Sequence, residues 1–279
     1  MIYFLGDSFT WGQGLYFEKW EKLGYGNMIN KHSPDIFAHE CLSYDDHKFR
    51  KEFHFPNLVA KHFDRDYVTD WHNGGTNYDL LKYIACLPAG AIQDLVVVQF
   101  TSPLRMFKPL IGNTFMGKVI RTREDLDREE LEIIDTTYKR LNVESIIKKS
   151  DRNENIKEVY KNSFEQIYLV NKFINKNMNG KTWIGFSWWP ETGEIIKNFF
   201  KENYVPLYYK GEEYNSFESL LNKDILSLKN KMAATSNIKC FDEHFSTDGH
   251  KVIADSIIKK INQDNLLENI RLKSLDFIK

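Results

Sequence analysis

Short apolar runs alternate with longer amphipathic stretches along most of the chain, and this alternation predicts its secondary structure. The run Leu95–Phe100 is the clearest strand, because an unbroken, β-branched run is typical of a strand covered on both faces. The pattern of apolar and polar residues over 203–230 is mixed and predicts no particular helix or strand. The alternation indicates a parallel sheet with helices on both sides. Further strands are predicted at 2–5, 67–71, 181–189 and 237–241, and helices at 57–63, 77–86, 154–178, 193–202 and from 247 onwards.

Two stretches interrupt this alternation within what we interpret as a single domain over residues 1–279. Residues 32–56 mix histidines with charges and aromatic residues, and we expect an irregular excursion there. Residues 106–178 are expected to form a charged helical insertion. Its segment 122–150 is the most highly charged, which is typical of an exposed helix or a lid.

Composition narrows the class of protein. Of the 279 residues, 42% are hydrophobic and 14% aromatic, enough to bury a substantial core and exclude wholesale disorder. The 38 basic and 39 acidic residues nearly cancel, which argues against nucleic-acid binding as the main task. No apolar run reaches the roughly 18 residues of a membrane span, so no membrane association is expected.

Cysteine and histidine usage predicts neither disulfides nor a metal site. The three cysteines are few, odd in number and far apart, with no CxxC pair. His32, His39, His47 and His54 fit no recognised metal-ligand spacing, and we expect scattered surface histidines. The N-terminus shows no basic region followed by a long apolar one, so we expect no signal peptide and a cytoplasmic protein, with later release by lysis left open.

Small and polar residues stand where three predicted strands end, which is where open parallel sheets bind ligands. These residues are Gly6-Asp7-Ser8, Asn73-Gly74-Gly75 and Thr101-Ser102. A fourth cluster, Asp242-Glu243-His244, precedes the last helix. The sequence therefore predicts a site at this edge of the sheet.

A serine at a strand-to-helix turn is exposed to its site and lies in the favourable field of the helix N-terminus. Its hydroxyl needs a base to become a nucleophile, and His244 is the candidate for Ser8. Asp242 stands two residues earlier, on what we expect to be the same short loop, and is placed to orient the imidazole. Gly75 has no side chain, so its N–H can approach a substrate oxygen closely.

These motifs carry a resemblance to a known family. Phe4-Leu5-Gly6-Asp7-Ser8-Phe9-Thr10 resembles the nucleophile motif of the SGNH (GDSL-type) hydrolases, and Asn73-Gly74-Gly75-Thr76-Asn77 resembles their second motif. The stretch from Phe241 to His250 is similar to the last motif, in which Asp and His stand close together. The resemblance is specific at both ends of the chain and thin between residues 106 and 236.

The resemblance implies a flavodoxin-like three-layer α/β/α sandwich around a central parallel sheet, with no cofactor and no metal. It implies that Ser8 is the nucleophile, His244 the general base and Asp242 its orienting partner. The N–H groups of Gly75 and Ser8 are the implied oxyanion donors, and Asn77 of the second motif is a further candidate in the oxyanion or substrate site. Asp7 is interpreted as a backbone-bonding turn residue and His250 as a structural residue of the last helix.

The chain departs from the family's third motif, which normally places an Asn after the central strand. Here the strand continues into Thr101-Ser102-Pro103-Leu104-Arg105. Thr101, Ser102 or Arg105 replaces the missing donor, or the donor is absent. Loss of one donor typically costs about 10²–10³ in rate. The spacing from Asp242 to His244 is also two residues, where three is commoner.

The sequence thus predicts a carboxylic ester hydrolase acting on a small-molecule or glycan ester, and it leaves the oligomeric state open. O-acetyl groups on a glycan are one candidate substrate, because the aromatic strand end Trp188-Trp189-Pro190 suits stacking on sugars; core packing is the other interpretation of these rings. Two alternative functions stay open. One is a catalytically weak or inactive binding or structural module, and the other is an acyltransferase using the same triad.

Overall fold

The structure is a computed structural model. It describes residues 1–12, 15–16, 19, 43–69, 77–86, 95–101, 103, 132, 136–137, 139–141, 154–177, 182–221, 226–231 and 241–267. The strands of this part are β1 (Ile2–Leu5), β2 (Tyr67–Thr69), β3 (Leu95–Phe100), β4 (Trp183–Ser187), β5 (Leu207–Tyr209), β6 (Glu212–Tyr214), β7 (Lys229–Lys231) and β8 (Phe241–Phe245). The helices are α1 (Ser8–Trp11), α2 (Tyr44–Phe53), α3 (Phe55–His62), α4 (Asn77–Cys86), α5 (Glu154–Asn177), α6 (Pro190–Phe199), α7 (Phe217–Leu221) and α8 (Thr247–Gln263), with a 3₁₀ turn at Leu226–Leu228.

Four parallel strands form the central sheet in the order β2-β1-β3-β4. A short parallel bridge continues the sheet beyond β4, because Gly185 N–H donates to Asn203 O (2.7 Å) and Val205 N–H donates to Gly185 O (2.9 Å). This is the strand order of flavodoxin-like folds, in which the chain leaves β1 in one direction and returns on its other side at β3. The carboxyl ends of β1 and β3 therefore flank the crevice where such sheets bind ligands.

Alternate residues of each strand face two separate apolar layers, as the pleat requires. In β1, Tyr3 and Leu5 face the layer formed by α4, α5 and α6, whereas Ile2 and Phe4 face the layer formed by α3, α7 and α8. All six residues of β3 are buried, which confirms the prediction of a strand covered on both faces. The protein is a three-layer α/β/α sandwich, as the sequence predicts.

Some predicted boundaries move for local reasons. The helix expected at 193–202 begins at Pro190, whose fixed φ suits the first turn of a helix. The strand expected at 181–189 ends at Ser187, because the Ser187 hydroxyl accepts the N–H of Trp189 (3.0 Å) and turns the chain. The strand expected at 67–71 is seen at Tyr67–Thr69, and residues 70–71 lie outside the described part.

The expectation of an irregular excursion over 32–56 is wrong for its second half. A capping box begins α2, with the Ser43 and Asp46 side chains each accepting the other's backbone N–H. Helix α3 follows directly, with Pro56 in its first turn. Residues 32–42 lie outside the described residues.

The expectation of an insertion over 106–178 is wrong for its last third. Helix α5 is the crossover between β3 and β4, and it buries Phe164, Ile167 and Val170 against the sheet. It therefore belongs to the core of the fold. Of the charged segment 122–150, only 132, 136–137 and 139–141 are described. Within the described residues, no helix is both long enough and apolar enough to cross a bilayer.

Candidate active site

Ser8 stands on a tight turn directly after β1. The turn is capped by Asp7, whose Oδ1 accepts the Phe9 N–H at 3.0 Å, which confirms Asp7 as a backbone-bonding turn residue. Helix α1 is a single turn that ends at Gly12, where φ is +83°. The helix field expected behind Ser8 therefore comes from the N–H groups of one turn only. The Asp7 cap also fixes the backbone on either side of Ser8.

The two ends of the chain meet at Ser8. Its Oγ lies 2.7 Å from Nε2 of His244, a hydrogen bond between residues 236 positions apart. Ser8 is buried, whereas the His244 side chain is partly exposed. His244 belongs to β8, which pairs antiparallel with β7, so the prediction that it stands on a short loop is wrong. The position of His244 is therefore set by the pairing of β8 with β7.

An aromatic stack fixes the plane of the His244 ring. The imidazole lies on Phe9, with ring centroids 4.5 Å apart and an angle of 29° between planes. Phe9 in turn packs against Trp188 (4.7 Å) and Phe245 (4.9 Å). Trp188 is buried in this cluster, so core packing is the correct interpretation of this ring and it forms no sugar platform. The sequence did not indicate that the residue after the nucleophile supports the base.

A buried glutamine connects the turn to the neighbouring strand. Gln99 of β3 accepts from the Asp7 N–H (3.3 Å) and from the Thr10 hydroxyl (3.1 Å) through its Oε1, and its Nε2 donates to Phe100 O (3.2 Å). A Cβ on Gly6 would lie 2.0 Å from Thr10 Oγ1 and 2.7 Å from Gln99 Oε1, so only glycine fits there. The signal in the sequence was a single polar residue inside a strand predicted to be buried on both faces.

The far end of the turn is held by Arg50 of α2. Its Nη1 donates to the carbonyl of Trp11, the last residue of α1, and its guanidinium lies 3.8 Å from the centre of the Trp11 ring. Burial lowers the pKa of Arg50 to about 10, so the side chain stays charged near neutral pH. This contact is a cationic C-cap of the nucleophile turn.

Asn77 braces the end of β3. Its Oδ1 accepts the Thr101 N–H (2.9 Å), and its Nδ2 donates to Thr101 O (3.2 Å) and to Gln166 Oε1 (2.6 Å). Gln166 also donates to Pro103 O (3.2 Å). Both N–H bonds of the Asn77 amide are thus used inside the protein, so this side chain has none left for a substrate oxygen. Its contribution is to fix the segment in which the third oxyanion donor is predicted.

Four other predicted site residues are described by the structure only in part or not at all. Gly75, Ser102 and Arg105 lie outside the described residues. Asp242 belongs to β8, two residues before His244, but its side chain is not among those described. Their roles remain predictions. Among the described side chains, no group of three or more His, Cys, Asp or Glu residues is arranged to hold a metal ion.

Two neutral histidines lie beneath the site. His250 is fully buried, and its Nδ1 accepts the Phe55 N–H at 3.1 Å, so it caps α3 from α8 and is structural, as predicted. His54 is also buried, contrary to the expectation of a surface position, and its Nε2 lies 2.9 Å from the Tyr67 hydroxyl. Burial and the charge of Arg50 lower the pKa of His54 to about 3. Burial is the main cause that lowers the pKa of His250 well below its usual 6.5, and the charges of His54 and His244 lower it further.

Comparison with known proteins gives structural matches alone. No protein-family model matches the chain, and no curated protein matches it. A solved carbohydrate esterase, described as having an active site with divergent catalytic and non-catalytic binding functions, is 16% identical, with a TM-score of 0.42. That match covers 94% of this chain, which spans only 64% of the esterase's length. Phospholipase A1 from Streptomyces albidoflavus NA297 is 12% identical over 94% of this chain and 98% of the enzyme, also with a TM-score of 0.42. The function has to be inferred from the site itself.

Proposed function

We propose that this chain is a serine hydrolase that cleaves carboxylic esters, with Ser8 as the nucleophile and His244 as the general base. The observation that carries the proposal is the 2.7 Å hydrogen bond between Ser8 Oγ and His244 Nε2. A serine hydroxyl attacks a carbonyl only when a base within hydrogen-bond reach removes its proton. The same pair stands against a purely structural module, because packing alone does not require this contact.

In the proposed reaction, Ser8 Oγ attacks the ester carbonyl while His244 Nε2 takes its proton. The imidazolium then passes this proton to the leaving alcohol, and the acyl group stays on Ser8. Water attacks the acyl-enzyme with the same histidine as base, which releases the acid. For Nε2 to accept from Ser8, the neutral ring carries its proton on Nδ1, and Asp242 is the proposed acceptor of that N–H.

The oxyanion is proposed to accept hydrogen bonds from the Ser8 and Gly75 N–H groups. Ser8 opens α1, and the first N–H groups of a helix have no acceptor within the helix. Ser102 and Arg105 are the proposed sources of a third donor. The substrates are small acyl esters. A glycan carrier loses its support from Trp188, because that ring is buried.

Hydrolysis of para-nitrophenyl acetate by the full chain tests this proposal. Ser8→Ala is expected to lower kcat by about a thousandfold or more. Ser163→Ala is the matched control and should retain turnover. It removes another buried serine hydroxyl, which in α5 is hydrogen-bonded to the Thr192 hydroxyl of α6. A fluorophosphonate should label the wild type and the control but not Ser8→Ala. A folded wild type that neither turns over the ester nor takes the label would refute the proposal and favour a binding module.

A further inference from the structure

We propose that Gln99 is a positioning residue of this site: its buried amide fixes the turn that presents Ser8, and so sets how fast Ser8 reacts. The inference rests on the proposed function. The hydrogen bonds of Gln99 go to Asp7, Thr10 and Phe100, and none of them goes to Ser8 itself. Gln99 acts on the residues on either side of Ser8.

The geometry links Gln99 to both sides of the nucleophile. Asp7, one residue before Ser8, donates its N–H to Gln99 Oε1 at 3.3 Å. Thr10, two residues after Ser8, donates its hydroxyl to the same oxygen at 3.1 Å. The opposite end of the amide is tied to the backbone of β3 through Phe100 O. One amide thus connects the turn to the central strand of the sheet.

Gln99 holds the start of this turn, whereas Arg50 holds its far end. Helix α1 has one turn, so its own hydrogen bonds stabilise it weakly, and an isolated turn of this length does not persist. Gly6 packs so closely against Thr10 and Gln99 that no Cβ fits between them. Removal of the amide therefore releases the turn on the side where it is most tightly packed.

The hydrogen bonds of Gln99 also decide which N–H groups at the start of α1 already have an acceptor within the protein. The Asp7 N–H is satisfied by Gln99, and the Phe9 N–H by the Asp7 carboxylate. The helix itself offers no acceptor to the N–H of Ser8. This arrangement leaves the nucleophile's own N–H as the donor proposed for the oxyanion, with its neighbours committed to the protein.

The consequence is kinetic, because reaction rates depend steeply on position. A misplacement of about 1 Å in a reacting group can cost about a hundredfold in rate. The hydrogen bond between Ser8 and His244 needs both groups in register, and His244 is already fixed by β8 and Phe9. Gln99 provides the corresponding restraint on the serine.

The test uses isosteric variants of the full chain and measures labelling of Ser8 by a fluorophosphonate. Thr10→Val removes one hydrogen bond to Gln99 and is expected to slow labelling and lower kcat about tenfold, with KM unchanged. Gln99→Met removes all three bonds and is expected to slow labelling about a hundredfold. Thr192→Val is the matched control: it removes an equally buried threonine hydroxyl, bonded to Ser163, and should leave the labelling rate unchanged.

The outcomes separate the two proposals. If Thr10→Val and Gln99→Met lose stability as Thr192→Val does but keep wild-type labelling and kcat, Gln99 is only structural and the inference is wrong. If Gln99→Met does not fold, Thr10→Val alone decides in the same way. If the folded wild type takes no label, the proposed function itself is wrong, and the inference falls with it.

Discussion

Acidification from pH 7 to pH 5 is expected to destabilise the fold through two buried histidines, His54 and His250. The perturbation is the protonation of an imidazole in the unfolded chain that the native state does not permit. Burial lowers the pKa of His54 to about 3 and that of His250 well below 6.5. Each native histidine therefore binds fewer protons than its unfolded counterpart. Their contribution to stability is complete above about pH 6.5 and is lost as the pH falls toward the folded pKa.

The magnitude is worked out for His54, because its folded pKa of about 3 lies below the range tested and its unfolded pKa is about 6.5. At pH 5 an unfolded histidine is almost fully protonated, which favours the unfolded state by about 2 kcal/mol relative to pH 7. His250 adds a further loss of the same sign, because burial lowers the pKa of this residue as well. A native imidazolium at His250 would also no longer accept the Phe55 N–H, so α3 would lose its cap.

The assay is urea unfolding at pH 7 and pH 5, followed by tryptophan fluorescence. His54→Gln keeps an amide nitrogen near the Tyr67 hydroxyl, and His250→Asn keeps an acceptor near the Phe55 N–H. His54→Gln should reduce the pH-dependent loss of unfolding free energy by about 2 kcal/mol, and His250→Asn should also reduce this loss. His62→Gln, at an exposed histidine of α3, is the control and should leave that loss unchanged.

One result would refute this reasoning: His54→Gln and His250→Asn lose as much stability on acidification as the wild type does. That outcome would mean that the carboxyl groups of the protein cause the acid sensitivity. Nuclear magnetic resonance titration gives an independent check, because neither buried imidazole should titrate near pH 6.5 in the folded protein.

Two further predictions concern the supports of the site. Phe9→Leu keeps an apolar side chain but removes the ring beneath His244. It should lower kcat about two- to tenfold, since such ring pairs are worth about 0.5–1.5 kcal/mol. Ester kinetics of this variant beside Phe9→Tyr, which keeps the ring, test the prediction, and equal losses of kcat in the two variants would contradict it. Ser246→Ala removes the N-cap of α8, whose hydroxyl accepts the Gly249 N–H at 3.1 Å, and should lower the free energy of unfolding by about 1 kcal/mol. Urea unfolding measures this loss, and an unchanged unfolding midpoint would show that the cap is not needed.

The sequence by itself determined the architecture. The run of β3, apolar apart from Gln99, and the helical pattern of α4 and α8 are local signals, and each of these elements begins where the pattern predicts. The sequence also singled out Ser8 and His244, because a serine at a strand-to-helix turn and a histidine beside an acidic residue have recognisable chemistry. Local patterns failed where tertiary contacts overrule them. The sequence predicts the helix of α5 over 154–178 but includes it in an insertion, because the charged stretch before it hides the fact that this helix is the crossover from β3 to β4.

Only the tertiary structure decided how those two residues are supported. The sheet brings Gln99 beside Asp7 and Thr10, and the β7–β8 ribbon lays His244 on Phe9. These contacts join residues far apart in the chain, so no local spacing encodes them. Asn77 shows the same limit: its motif suggested a substrate contact, and the fold uses its amide to hold the end of β3. A polar side chain faces a substrate or braces the site according to the partners that lie within hydrogen-bond reach of it. Those partners are brought together only when the chain folds.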